Sequence, residues 1–87
     1  MTEKNVKVRS RAGLNGKSAK MFVKRANTYE ASIWVEMQEK RIEAKGLLGV
    51  LSLGAVGGTT IKLIARGRDE KEAIDGLSRL VESGFEE

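Results

Sequence analysis

Strands that are apolar on one side only, alternating along the chain with amphipathic helices, predict an α+β fold. It is an open-faced two-layer sandwich in which three helices cover one face of a four-stranded antiparallel sheet. The segment order is β-α-β-β-α-β-α, and 87 residues make one domain, 1–87, with room for a core but not for a deep enclosed active site. At 40% hydrophobic and 32% charged residues, the composition is that of an ordinary globular chain.

Asn5 to Arg11 alternates, with Val6 and Val8 on one side and Lys7, Arg9 and Arg11 on the other, the pattern of a half-buried strand. From Gly16 to Asn27 the apolar residues Ala19, Phe22, Val23 and Ala26 recur at i, i+3, i+4 and i+7, one face of a helix. Ser32 to Glu36 is the second strand, with Ile33 and Val35 inward. A polar turn near Gln38 leads to the third, Arg41 to Ala44, with Ile42 and Ala44 inward. Gly46 caps a short helix, Leu47 to Leu53, which Gly54 ends. After a turn at Gly57-Gly58, Thr60 to Arg66 forms the fourth strand, with Ile61, Leu63 and Ala65 inward. Asp69 opens the last helix, with Glu72 placed for a capping box; Ala73, Leu77, Leu80 and Val81 form its stripe, and Gly84 stops it.

Charge is divided unevenly. Lys4, Lys7, Arg9, Arg11, Lys17, Lys20, Lys24 and Arg25 occur with no acid among them, whereas seven acids outnumber five bases from Gly46 onward. A cationic end of this kind attracts an acidic partner. Lys17, Lys20 and Lys24 lie within about 60° of one another on the helix surface, opposite the apolar stripe. At the start of that helix, Gly16, Lys17 and Ser18 meet unpaired backbone N–H groups, a corner suited to an anion. Asn15-Gly16, just before it, is a deamidation-prone pair.

Two apolar features exceed what a minimal core needs. The short helix carries Leu47, Leu48, Val50, Leu51 and Leu53. Val50 and Leu53 can face the sheet, which leaves Leu47, Leu48 and Leu51 as a patch for a partner. Trp34 and Ile64 are out of phase with the inward residues of their strands, and would form an apolar spot on the uncovered sheet face, open to a homodimer contact.

Several chemistries are disfavoured. There is no histidine and no cysteine, so imidazole acid–base work, thiolate chemistry and a His/Cys metal site are all absent. No apolar run approaches a membrane span, and the N-terminus lacks a signal-peptide core, so a cytoplasmic protein with no membrane contact is expected. No cofactor is implied. Gly16-Lys17-Ser18 matches the end of a P-loop, but Arg11 stands where that motif needs its first glycine. Nucleic acid is a weaker candidate than protein, because stacking aromatics are scarce.

Ala12-Gly13-Leu14, the run from Lys45 to Gly54 and Gly67 to Ala73, in this element order, closely resemble the HPr family, histidine-containing phosphocarriers of the bacterial sugar phosphotransferase system. The resemblance covers the whole chain. It implies docking on enzyme I, sugar-specific subunits, a regulatory kinase/phosphorylase or a catabolite-control transcription factor. By position, Lys17, Lys20, Lys24, Leu47, Leu48 and Leu51 are the docking candidates.

The departures fall on the chemistry. The family's His-Ala-Arg-Pro run is here Asn15-Gly16-Lys17-Ser18, and its regulatory serine is Gly46. The Asn15 amide cannot form a phosphoramidate, and Lys17 keeps a charge without arginine's planar fork. The catabolite-repression variant of HPr resembles this chain in lacking the histidine, but keeps the serine. The resulting expectation is a non-enzymatic, unphosphorylated binding protein of the sugar-transport and carbon-control network, without catalytic residues. Two alternatives stand beside it: a phosphocarrier using Ser18 or Ser52, and an anion or phosphometabolite receptor at Gly16, Lys17 and Ser18.

Overall fold

The computed structural model describes residues 1–86. Its elements are β1 (Thr2–Lys7), α1 (Gly16–Ala26), β2 (Ser32–Met37), β3 (Lys40–Glu43), α2 (Leu47–Ser52), β4 (Thr60–Arg66) and α3 (Glu70–Glu82). The strands form one antiparallel sheet in the order β1-β4-β2-β3. The three helices share one face: α3 packs on β1 and β4, α2 on β3, and α1 lies against both α2 and α3. No helix among the described residues is long and apolar enough to cross a membrane.

Alternation places the core where the strand pattern requires it. Val6, Ile33, Val35, Ile61, Leu63 and Ala65 are buried beneath Phe22, Leu77 and Val81 of the helices. The α3 stripe of Ala73, Leu77, Leu80 and Val81 is buried, joined by Ile74. Its end is a Schellman turn: Gly84 takes a φ of +72°, its N–H donates to Val81 O, and the Phe85 N–H donates back to Leu80 O.

Some expectations need correction. β1 runs from Thr2 to Lys7 rather than from Asn5 to Arg11, because Lys7 already pairs with Thr60, the first residue of β4. Val8 remains buried and bonded to Thr59 O, but residues 9–11 have no strand to join. β3 begins one residue earlier than its pattern indicates. Ala44, just beyond its end, still donates to Ile33 O at 2.9 Å.

Trp34 is half-buried and Ile64 is fully buried, so the two do not form an open apolar spot. On the uncovered face Ile64 lies directly between Trp34 and Glu3 of its neighbouring strands. The ion pairs Lys62–Glu3 (3.7 Å) and Arg41–Glu36 (3.0 Å) occupy the same face.

The capping box of Asp69 and Glu72 is also absent. Asp69 is the N-cap, but its carboxylate accepts the Glu30 and Ala31 N–H groups at 2.9 and 2.8 Å, tying the α1–β2 loop to the start of α3. Those bonds, the one from Glu30 foremost, hold its pKa below the ordinary carboxylate value. Glu70 replaces the missing box: its carboxylate accepts Thr2 Oγ1–H at 2.6 Å and the Gly67 N–H at 3.0 Å, and lies 3.0 Å from the Met1 ammonium. The Thr2 bond is the main cause that lowers the Glu70 pKa from 4.5 to about 2.

A carboxylate with a depressed folded pKa stabilises the fold above its unfolded value and loses that contribution as pH falls through the folded one. Glu70→Gln should therefore melt below the parent at neutral pH. The gap should close between 4.5 and about 2. Thermal melts of both proteins across that window check this; a gap that persists unchanged at the acid end would contradict it.

Candidate functional site

The segment between β1 and α1 is shaped by a close backbone approach. Gly13 has a φ of +74°, and a Cβ there would sit 2.1 Å from Ala55 O and 2.7 Å from Val56 Cα. Only glycine fits. The contact lets the Leu14 N–H donate to Ala55 O at 2.8 Å while the Leu14 side chain is buried in the core. Asn15, the next residue, is thereby delivered to the surface as the N-cap of α1 in an extended conformation.

Ser18 completes the cap. Its hydroxyl accepts the Asn15 N–H at 3.1 Å and donates to Gly13 O at 2.6 Å, and the residue is nine-tenths buried. The Asn15 Nδ2 donates to Ala12 O at 2.9 Å. The hydroxyl expected to face an anion or accept a phosphate is thus turned into the loop. Gly16 and Lys17 remain exposed. Ser52 is exposed, with its hydroxyl donating to Gly49 O at 2.6 Å.

Lys17, Lys20 and Lys24 are all exposed, and among the described residues no carboxylate forms an ion pair with them. Lys17, Asn15 and Ser18 border a cleft of about 290 Å³, lined also by Ser10, Ala12, Met21, Gly84 and Phe85. A wider and shallower hollow of about 700 Å³ opens beside Trp34, Arg41 and Lys45. Its cations are already engaged, Arg41 by Glu36 and Lys45 by Tyr29 O, so the cleft at the start of α1 is the better candidate for a charged ligand.

The leucines of α2 divide between core and solvent. Val50 and Leu53 are buried and Leu47 is half-buried against the core, whereas Leu48 is 83% exposed and Leu51 39%. Gly46, the N-cap of α2, is exposed, with open space where a side chain would project. Its position is tied to the far end of α1: Asn27 Nδ2 donates to both Val23 O and Lys45 O. Asn15 and Gly46 therefore mark opposite ends of an 11-residue helix, a separation of roughly 16 Å along its axis at 1.5 Å per residue.

Sequence reasoning missed Val56 and Phe85. Val56 is 64% exposed in the loop that receives Gly13, beside the entrance to α1. Its signal was an apolar side chain inside the glycine-rich turn Ala55-Val56-Gly57-Gly58. Phe85 reaches the cleft because the backbone reverses at Gly84; that glycine marks the helix stop in the sequence, but not that the next residue meets the loop before α1.

Two pairs of variants check this geometry. Gly13→Ala should cost about 2–4 kcal/mol in urea unfolding, whereas Gly16→Ala, at φ +52° with nothing within 4 Å, should cost only about 1–2 kcal/mol. Ser18→Ala leaves the Asn15 N–H and Gly13 O without their partner, and should cost about 1–2 kcal/mol; Ser52→Ala should be nearly neutral by the same measurement.

A family model described as the PTS HPr component phosphorylation site matches residues 2–83. The HPr-like protein Crh of Halalkalibacterium halodurans is 39% identical over 82 residues, spanning 94% of this chain and 98% of the relative. The crystal structure of HPr-C-His from Thermoanaerobacter tengcongensis aligns with a TM-score of 0.96 at 41% identity, covering 100% of this chain and 99% of that one. The crystal structure of Bacillus subtilis Crh, described as a swapped dimer, aligns at 0.79 and 34% identity over the full length of both chains. With a family match over nearly its whole length and a sheet and helix order like theirs, the chain belongs to the HPr family.

Proposed function

We propose that the chain is a non-phosphorylatable binding protein of the phosphotransferase and carbon-regulation network, acting in the cytoplasm by docking through α1 and α2. It is not an enzyme in this reading. The observation that carries it is the juxtaposition of exposed Lys17, Lys20 and Lys24 on α1 with the exposed Leu48 and Leu51 on α2, the helix against which α1 packs. Long-range attraction from the lysines brings an acidic surface in, and desolvation of the leucines holds it. Val56 extends the apolar part toward Asn15.

The chemistry of phosphate transfer lacks its acceptor. Asn15 is a cap, neutral and amide-bearing, where the family resemblance puts the phosphohistidine; Gly46 offers no hydroxyl where it puts the regulatory serine. Neither position can take a phosphoryl group, so the chain would present an unphosphorylated HPr-like surface to the family's partners: enzyme I, sugar-specific subunits, the kinase/phosphorylase or the catabolite-control regulator. A second copy of this chain is a further candidate partner, on the precedent of the swapped Crh dimer. The cleft beside Lys17, which Ser18 also lines, favours one other reading, an anion or phosphometabolite at the Gly16, Lys17 and Ser18 corner, held chiefly by Lys17 because the Ser18 hydroxyl is committed to Gly13 O.

Enzyme I and phosphoenolpyruvate, followed by intact-mass measurement, should leave the chain without a phosphoryl group; a stable or transferable adduct would overturn the reading. Against enzyme I as the probe, Leu48→Asp should weaken binding by about 10- to 150-fold, the equivalent of losing about 1.5–3 kcal/mol of buried leucine. Its melting temperature should barely move, because the side chain is already in water. Unchanged affinity would remove α2 from the docking face.

A further inference from the structure

The chain has three asparagines, all exposed, which differ in the residue that follows each. Asn5 lies within β1 opposite Lys62, and is followed by Val6. Asn27 has its amide bound to two carbonyl oxygens and is followed by Thr28. In both, a β-branched successor crowds the backbone nitrogen that would have to approach the side chain. What sets Asn15 apart is its successor: Gly16 has no side chain, and the space where one would lie is empty to 4 Å. The Gly16 N–H belongs to the first turn of α1, where no intrahelical carbonyl claims it.

We propose that Asn15 is a self-modification site, converting slowly to aspartate and isoaspartate without any enzyme. The Gly16 backbone nitrogen loses its proton and bonds to Asn15 Cγ. The Cγ–Nδ2 bond breaks, and the nitrogen leaves with a proton as ammonia. Water then opens the resulting five-membered imide at one of its two carbonyls. Opening at one restores a normal backbone with an aspartate side chain; opening at the other routes the backbone through Cβ and Cγ as isoaspartate. The net change is water in and ammonia out.

The cap controls the rate. A ψ of 165° at Asn15, the Nδ2 bond to Ala12 O and the Ser18 bond to the Asn15 N–H hold the reacting pair in one arrangement. The ring closes from the opened first turn, a local event at a helix end rather than global unfolding. Gly16 makes that opening easy, because no side chain anchors it to a neighbour.

The product changes the corner permanently. A carboxylate replaces a neutral amide at the positive end of α1, in the cleft that exposed Lys17 also lines. Aspartate caps a helix as well as asparagine does and suits the dipole, so that form keeps α1 intact. Isoaspartate lengthens the backbone by one carbon and displaces the Ser18 contact. The effect on an acidic partner rests on the docking reading above; the chemistry does not, and its readout involves no partner.

The test uses the purified full chain, held at about 37 °C at about pH 8 and at about pH 5, with intact mass, ion exchange and fragment mapping over days. A species about one dalton heavier and more acidic should accumulate faster at the higher pH, with the change at residue 15 at least about tenfold faster than at Asn5 or Asn27. Asn15→Gln, whose ring would need an extra atom, should abolish it, and Ser18→Ala should speed it. No mass gain in the parent, equal gain at the other asparagines, or an undiminished gain in Asn15→Gln would each overturn the proposal.

Discussion

The contact between the loop before α1 and the loop after α2 governs the geometry of the candidate site. Gly13 lies so close to Ala55 that any side chain would collide with its carbonyl, and the Leu14 N–H is bonded to that same oxygen. Burial of the Leu14 side chain then fixes the direction in which the chain leaves the loop. Asn15 becomes the N-cap, α1 follows at a set angle, and its stripe of Ala19, Phe22 and Ala26 closes over the sheet. The lysines on the opposite side follow from helical geometry alone. Because α2 ends just before Ala55, one short contact sets both helices of the proposed docking face relative to each other.

Much of this was legible in the sequence, and the parts that were not share a cause. The inward residues of β4 and the stripes of α1 and α3 follow from periodicity, which local sequence carries. The end of β1 does not, because it depends on where β4 begins. Ile64 is out of phase with the inward residues of its own strand, yet Trp34 and Glu3 flank it from adjacent strands, and register is invisible one strand at a time. Asp69 has the sequence context of a local cap, whereas its carboxylate serves Glu30 and Ala31, almost forty positions away. Ser18 is ambiguous for a subtler reason. A serine in the first turn of a helix is ambiguous between facing out and facing back, and only the nearness of Gly13 O decides it.

The division of leucines in α2 is informative because the helix is so short. Six residues give little more than one and a half turns, so a single face can reach the core. Val50, together with Leu53 at the C-cap, already fills it. Leu48 adds nothing to that packing, and a polar residue there would serve the monomer equally well. An exposed leucine alone means little. With Leu51 on the same helix and Val56 in the loop that follows, and with lysines on the adjoining helix, it becomes a surface whose apolar and charged parts suit one kind of partner.

Asparagine at position 15 is well chosen for a cap and poorly chosen for permanence. Its preference for the N-cap, reinforced by Ser18, keeps the first turn of α1 ordered without the imidazole on which phosphate transfer in this family depends. Glycine at 16 relieves the backbone at φ +52°, where other residues would be strained. The same glycine leaves the amide open to attack by its own chain. Stability of the corner and its chemical lifetime are therefore opposed through one residue. Any substitution that shields Asn15 by adding a side chain at 16 must accept strain in the cap that positions the neighbouring lysines.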